Sequence, residues 1–224
     1  GVGKFICPIP DKGSISMVHF WLRAEVKAGE ARTPLTPETA SQLIDYGHMV
    51  SVELSGDRCF LTGEFAGVGC NVEPAGSWMN APKDAVILGI KELPEKPESL
   101  VHRHIHFGHA FKGQPGWQEF LARFKRGGGA LFDLENLTDD TGRRLAAFGY
   151  WAGYAGAAVG LLAWAGQATG SNPALGSLRP YDNKDALLAA LAKALDTVDT
   201  RPTALITGAL GRCGTGAADL FEDM

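Results

Sequence analysis

No CxxC pair and no zinc-finger spacing occurs among the four cysteines of this 224-residue chain, Cys7, Cys59, Cys70 and Cys213. Cysteines this few and this scattered read as reduced thiols of an intracellular protein, not as a disulfide framework. An excess of positive charge is also missing, since 21 Lys and Arg face 25 Asp and Glu for a formal net charge of −4. That balance lacks the electrostatic footprint of a general nucleic-acid binder. The opening GVGKFICPIPDKGSIS carries Pro8 and Pro10 and no apolar core, so it does not read as a signal peptide. Residues 1–16 read instead as an extension of unknown role ahead of a start at Met17. Internal repeats and low-complexity linkers are absent. With 45% apolar and 21% charged residues, the composition excludes wholesale disorder.

Glycine is in excess, at 29 of 224 residues, nearly twice the usual ~7%. The length is also awkward, generous for one domain and tight for two. One stretch, Leu145 to Gly166, runs 22 residues without a charge and carries the GxxxG spacings Gly149/Gly153 and Gly156/Gly160. It is long enough to span a bilayer. Its richness in Ala and Gly over Leu and Ile favours a buried inter-domain helix instead.

Along the chain, strand and helix patterns alternate. Val18–Leu22 reads as a strand, and Thr36-Pro-Glu-Thr39 as a helix start with Thr36 as N-cap and Pro37 in the first position. Further strands are expected at His48–Leu54, Cys70–Glu73, Ala85–Ile90, Val101–Phe107 and Ala130–Leu134. Helices are expected around Thr62–Gly67, Trp117–Lys125, Thr141–Gln167 and Asp182–Leu195. A last strand, Thr203–Thr207, leads into a glycine-rich turn and another helix. This alternation predicts an α/β fold with right-handed crossovers.

The glycine turn, with Gly208, Gly211, Gly214 and Gly216 between strand and helix, is the setting in which backbone amides receive a pyrophosphate. Its spacing is GxxGxxG rather than GxGxxG, and a purely structural turn is the alternative. Four of the six histidines fall in His102–His109. On a strand, His102, His104 and His106 share a face, as in the HxH device of metallohydrolases. Surface or hydrogen-bonded strand histidines are the plainer reading. Lys91 ends the apolar run Ala85–Ile90, where open parallel sheets place ligands. A lysine there, partly desolvated and near other cations, suits a base near neutrality. Arg32 follows the first strand and offers a planar fork for a carboxylate. Arg143 and Arg144 open the uncharged helix.

Taken in order, LRAE (22–25), EARTPLTP (30–37), PAGSW (74–78), GIKE (89–92), HIHFGH (104–109), GWQ (116–118), DLE (133–135), GRR (142–144) and GALGRCG (208–214) resemble saccharopine dehydrogenase, the NAD-dependent, lysine-forming family. The resemblance runs from about Met17 to the last residue. Alanine dehydrogenase and the transhydrogenase N-terminal domain share the general plan without the PAGSW and GALGRCG segments.

The resemblance implies an α/β fold of two Rossmann-like parallel-sheet domains joined by a long helix, the second cut short at its first βα unit. Residues 17–140 would form the substrate and catalytic domain. Residues 141–224 would form the inter-domain helix and the start of an NAD-binding domain. The implied reaction is oxidative deamination of saccharopine to L-lysine and 2-oxoglutarate with reduction of NAD, a step of fungal-type lysine biosynthesis by the aminoadipate route. Lys91 matches the base that takes the amine proton, and His109 the acid that assists imine hydrolysis. Arg32, Lys91, Gln114, Arg144 and Phe148 match substrate contacts. Arg143, Gly211 and Arg212 match cofactor contacts, while Lys112 and Glu135 match charged neighbours that tune the acid–base pair. No metal is implied, and the other histidines need no catalytic role. The implied protein is a cytoplasmic monomer, with a peroxisomal address left open, and binds neither nucleic acid nor membrane. The family continues past this chain's end, so the 224 residues alone are expected to be inactive. An alanine-dehydrogenase-like enzyme and a metallohydrolase on the histidine strand are the competing readings.

Overall fold

In a computed structural model of the chain, residues 16–110, 113–171, 173 and 175–224 are described. They divide into two compact units, one up to Ala146 and one from Ala147 to Met224.

The first unit is built on a six-stranded sheet in which every pairing is parallel. Its strands are β1 (His19–Leu22), β2 (Met49–Glu53), β3 (Asn71–Glu73), β4 (Val86–Leu88), β5 (Arg103–His106) and β6 (Ala130–Asp133). They lie in the order β3-β2-β1-β4-β5-β6. The chain therefore starts in the middle, winds outward to β3, then returns to β4 and winds the other way. The reversal between β1 and β4 opens a crevice at the strands' carboxyl ends, the usual ligand position in such sheets.

Alternation along the strands buries both faces. Leu22, Val86 and Leu88 pack on one side with Val50, Val52 and Phe65. Trp21 and Ile87 pack on the other with Trp78, Leu100 and Phe124. Helix α1 (Pro37–Asp45) starts where expected, because the Thr36 side chain accepts the Thr39 N–H at 3.1 Å and Pro37 needs no partner for a missing N–H. Helix α2 (Thr62–Gly67) and helix α3 (Trp117–Gly127) complete the regular helices of this unit.

The second unit contains α4 (Tyr150–Ala168), α5 (Lys184–Leu195) and α6 (Arg212–Asp223). Tyr154, Ala158, Leu161 and Ala165 form one buried stripe along α4. From Tyr150 onward the uncharged stretch is thus a packed helix, and no helix among the described residues is long and apolar enough to cross a membrane. A Cβ on Gly153 would collide with the Cys213 carbonyl, and one on Gly216 with the Tyr150 carbonyl. Helices α4 and α6 therefore meet backbone to backbone. The other GxxxG pair behaves differently, since a Cβ on Gly156 or Gly160 would meet open space.

Two expectations need correction. The long helix begins at Tyr150, not near Thr141. Residues before it are held in a turn, where Asp139 Oδ1 accepts the N–H of Thr141 and Arg143, Gly142 takes φ +80°, and Thr138 bridges Arg144. Thr203–Thr207 is not a strand, because no neighbouring strand among the described residues pairs with it. Leu205 is consequently 91% exposed.

Candidate active site

Because the sheet is parallel, the ends of β1, β4, β5 and β6 all open on one edge. Arg23 to Arg32, Gly89 to Glu92, His106 to His109 and Asp133 to Glu135 are delivered there together.

Lys91 lies three residues past the end of β4, half-buried. Its N–H donates to Glu25 Oε2 at 3.0 Å, and its carbonyl accepts from Arg23 Nη2. Arg32 is an exposed guanidinium locked onto Glu30, with Nε–Oε1 at 2.7 Å and Nη2–Oε2 at 2.5 Å. Hydrogen bonding to Arg32 holds the Glu30 carboxyl below the usual carboxylate range, and Lys91 adds to this by its charge.

His109 follows β5 with φ +53°, the one described non-glycine residue in the left-handed region. Backbone strain of this kind gathers at functional sites and persists only where the surroundings enforce it. The ring stacks on Phe107 at 6.0 Å. Its Nδ1 lies 3.4 Å from Glu135 Oε1, and the same oxygen lies 3.0 Å from Arg144 Nη2. Asp133 fixes both partners' backbones, since its Oδ1 accepts from Gly108 N–H at 3.2 Å and Glu135 N–H at 3.0 Å.

A pocket of about 170 Å³ beside His109 is lined by Glu92, His106 and Gln114 among others. The larger groove, about 720 Å³, is apolar and holds none of the predicted site residues. The structure therefore gathers Arg32, Lys91, His109, Gln114, Arg144 and Glu135 on one unit. Arg143 is exposed on the turn after β6. Lys112 lies outside the described residues. Phe148, Gly211 and Arg212 belong to the second unit.

Gly211 is the N-cap of α6 and Arg212 its first residue. Gly208 takes φ +71°, and a Cβ on Gly214 would strike the Gly208 carbonyl. The loop thus folds tightly against the start of α6, where first-turn amides lack intrahelical acceptors. Such a cradle fits a pyrophosphate.

The histidine strand forms no metal site among the described residues, and the hydrogen-bonded reading holds for His102, whose Nε2 lies 3.0 Å from the Ala81 carbonyl. His102, His104 and His106 are buried, at 2%, 0% and 1% exposure. His104 stacks edge-on against Trp78, Phe124, His102 and His106, and neither of its ring nitrogens has a hydrogen-bond partner. Burial pushes the His104 and His106 pKa values down to about 3, with neighbouring cationic groups adding to the effect. The His104 and His106 rings are neutral core. Among the described residues no group of three or more His, Cys, Asp or Glu is placed to hold a metal ion.

Sequence reasoning gave no role to Glu53, which is fully buried at the end of β2. It accepts from Trp21 Nε1, Ala24 N–H, Gly76 N–H and Trp78 N–H at 2.5–3.2 Å. It ties the PAGSW loop to the sheet. An acidic residue closing an otherwise apolar strand was the available signal.

The sheet order and the edge-clustered charges define a doubly wound α/β domain with a charged crevice at the strands' carboxyl ends. The chain belongs to the family described as alanine dehydrogenase/PNT, N-terminal domain, which it matches over residues 21–155. Among curated relatives, it is 49% identical over 208 residues to saccharopine dehydrogenase [NAD(+), L-lysine-forming] of Schizosaccharomyces pombe, covering 90% of this chain and 56% of the relative. The enzyme of that name from Emericella nidulans is 50% identical over 210 residues, covering 91% and 56%. The chain thus spans little more than half the length of these relatives. A transhydrogenase from Sinorhizobium meliloti shares the fold at TM-score 0.51 and 15% identity, covering 92% of this chain and 56% of that one. An L-alanine dehydrogenase does so at TM-score 0.53 and 14% identity, covering 92% and 52%.

Proposed function

We propose that this chain is the substrate domain and the first cofactor-binding segment of an NAD-dependent, L-lysine-forming saccharopine dehydrogenase. Identity of 49–50% to curated enzymes of that name over about nine-tenths of the chain carries the reading. Residues 17–140 are the substrate and catalytic domain, and residues 141–224 lead through α4 into the NAD-binding domain. The boundary between compact units falls slightly later, after Ala146.

Lys91, at the sheet crevice, takes the proton from the secondary amine of saccharopine. NAD, when bound, supplies the acceptor for the hydride that leaves the adjacent carbon. Water then adds to the imine, and His109 protonates the nitrogen so that the C–N bond of the resulting carbinolamine breaks, giving lysine and 2-oxoglutarate. Arg32 and Arg144 pair with substrate carboxylates, Arg32 exchanging its present Glu30 partner. Gln114 and Phe148 complete the substrate contacts. Arg143, Gly211 and Arg212 hold the cofactor, with the Gly208–Gly214 turn receiving its pyrophosphate. Glu135 sets the orientation of His109. Lys112 joins it as a charged neighbour of the acid–base pair.

NADH formation from saccharopine and NAD tests this. The chain completed at its C-terminus with the matching half of the S. pombe relative is expected to be active. The 224-residue chain alone is expected to show little or no activity. Failure of the completed chain to turn over saccharopine, while turning over alanine, would replace the reading with an alanine-dehydrogenase-like one.

A further inference from the structure

The ladder between β1 and β4 ends with the Arg23 N–H donating to the Leu88 carbonyl at 3.1 Å. Beyond it the chains diverge to open the crevice, and main-chain groups at Ile90 and Lys91 lose their β1 neighbours. Side chains take over. Glu25 Oε1 accepts the Ile90 N–H at 2.6 Å and Oε2 the Lys91 N–H at 3.0 Å. Arg23 donates to the Lys91 carbonyl and to the Ala24 carbonyl, and Nη1 lies 3.3 Å from Glu25 Oε2. Both side chains are buried, at 1% and 8% exposure. Room for the guanidinium exists only because residue 89 is glycine, since a Cβ there would collide with Arg23.

A buried ion pair is a poor device for stability, and apolar residues of similar volume often serve as well or better. This pair instead holds the main chain on both sides of the Lys91 Cα, through the Ile90 and Lys91 N–H groups before it and the Lys91 carbonyl after it. We propose that Arg23 and Glu25 are positioning residues that fix the main chain of Lys91, and so the reach of its amine, on the side where β1 pairing has ended. On the other side the Phe107 N–H donates to the Ile90 carbonyl at 3.2 Å. The proposal rests on the reading of Lys91 as the base. Orientation errors of about 1 Å cost on the order of 100-fold in rate, which is the scale of effect to look for.

The experiment uses the C-terminally completed enzyme with Arg23→Met, Glu25→Gln and, as reference, Lys91→Met. The expected result is a kcat lower by roughly 10- to 100-fold in R23M and E25Q, measured below their melting transitions and with KM for NAD unchanged. Both melting temperatures fall, because each variant strands one buried charge. Unchanged kcat in both, with K91M inactive, would overturn the positioning role and leave the base assignment standing. Parent-level turnover in K91M would overturn the base assignment and this proposal with it. Amide exchange on the unsubstituted protein gives a second readout that needs no variant. Protection at Ile90 and Lys91 supports the clamp, and exchange as fast as in open loops overturns it.

Discussion

Glu135 sets one carboxylate oxygen 3.4 Å from Nδ1 of His109, and that oxygen also receives Arg144 at 3.0 Å. The proposed acid His109 and the proposed substrate-binding Arg144 therefore depend on one group. Replacing it by Gln keeps the shape but removes the negative charge that faces the His109 ring and the Arg144 guanidinium. Glu135→Gln is expected to lower kcat and raise KM for saccharopine, each by about tenfold, in the completed enzyme. Steady-state kinetics check this, and a change in neither parameter would separate Glu135 from the site.

The neutral histidine core makes stability sensitive to acid. The folded pKa of His104 and His106 is about 3, against about 6.5 in an unfolded chain. Below pH 6.5 the unfolded state takes up protons that the folded state refuses, so stability is full above that pH and falls as pH drops toward 3. Each histidine adds about 1.4 kcal/mol per pH unit to the slope between pH 4 and 6. His104→Phe, which suits the aromatic surroundings, is expected to remove one such contribution. Urea denaturation at a series of pH values measures it.

Glu53 accepts four hydrogen bonds from inside the fold. Glu53→Ala leaves those donors buried without their acceptor and is expected to destabilise by about 3 kcal/mol or more. Denaturant titration reads the loss, and exchange at Gly76 and Trp78 should rise with it.

The two GxxxG pairs should respond oppositely to alanine. Gly153→Ala drives a methyl into the Cys213 carbonyl and should disrupt the second unit. Gly156→Ala and Gly160→Ala meet open space and should be neutral or stabilise by about 0.5–1 kcal/mol through helix propensity. Thermal melts of the three variants give the comparison.

What was legible in the sequence was what depends on local periodicity. The apolar run Ala85–Ile90, the Thr36 cap and the alternation of elements led to the correct parallel sheet, with Lys91 at its carboxyl edge. The start of α4 was missed because apolar pattern continues through Leu145–Phe148, while the Asp139 turn that excludes helix there lies upstream. Thr203–Thr207 has strand composition, but a strand exists only where another pairs with it. The histidine strand misled because period two reveals a shared face without telling whether that face meets water, a metal or Trp78. Arg23, Glu25, Glu53 and Asp133 were invisible as a group. Their partners are main-chain N–H and C=O groups, most of them far along the chain, and those carry no residue signature.

We propose base chemistry by Lys91 on saccharopine at this crevice. It is tested most directly by NADH formation from saccharopine and NAD in the C-terminally completed enzyme, compared with its Lys91→Met variant. Turnover is expected in the first, with a loss of at least ~100-fold in the second and NAD binding retained. Equal rates in the two would contradict it.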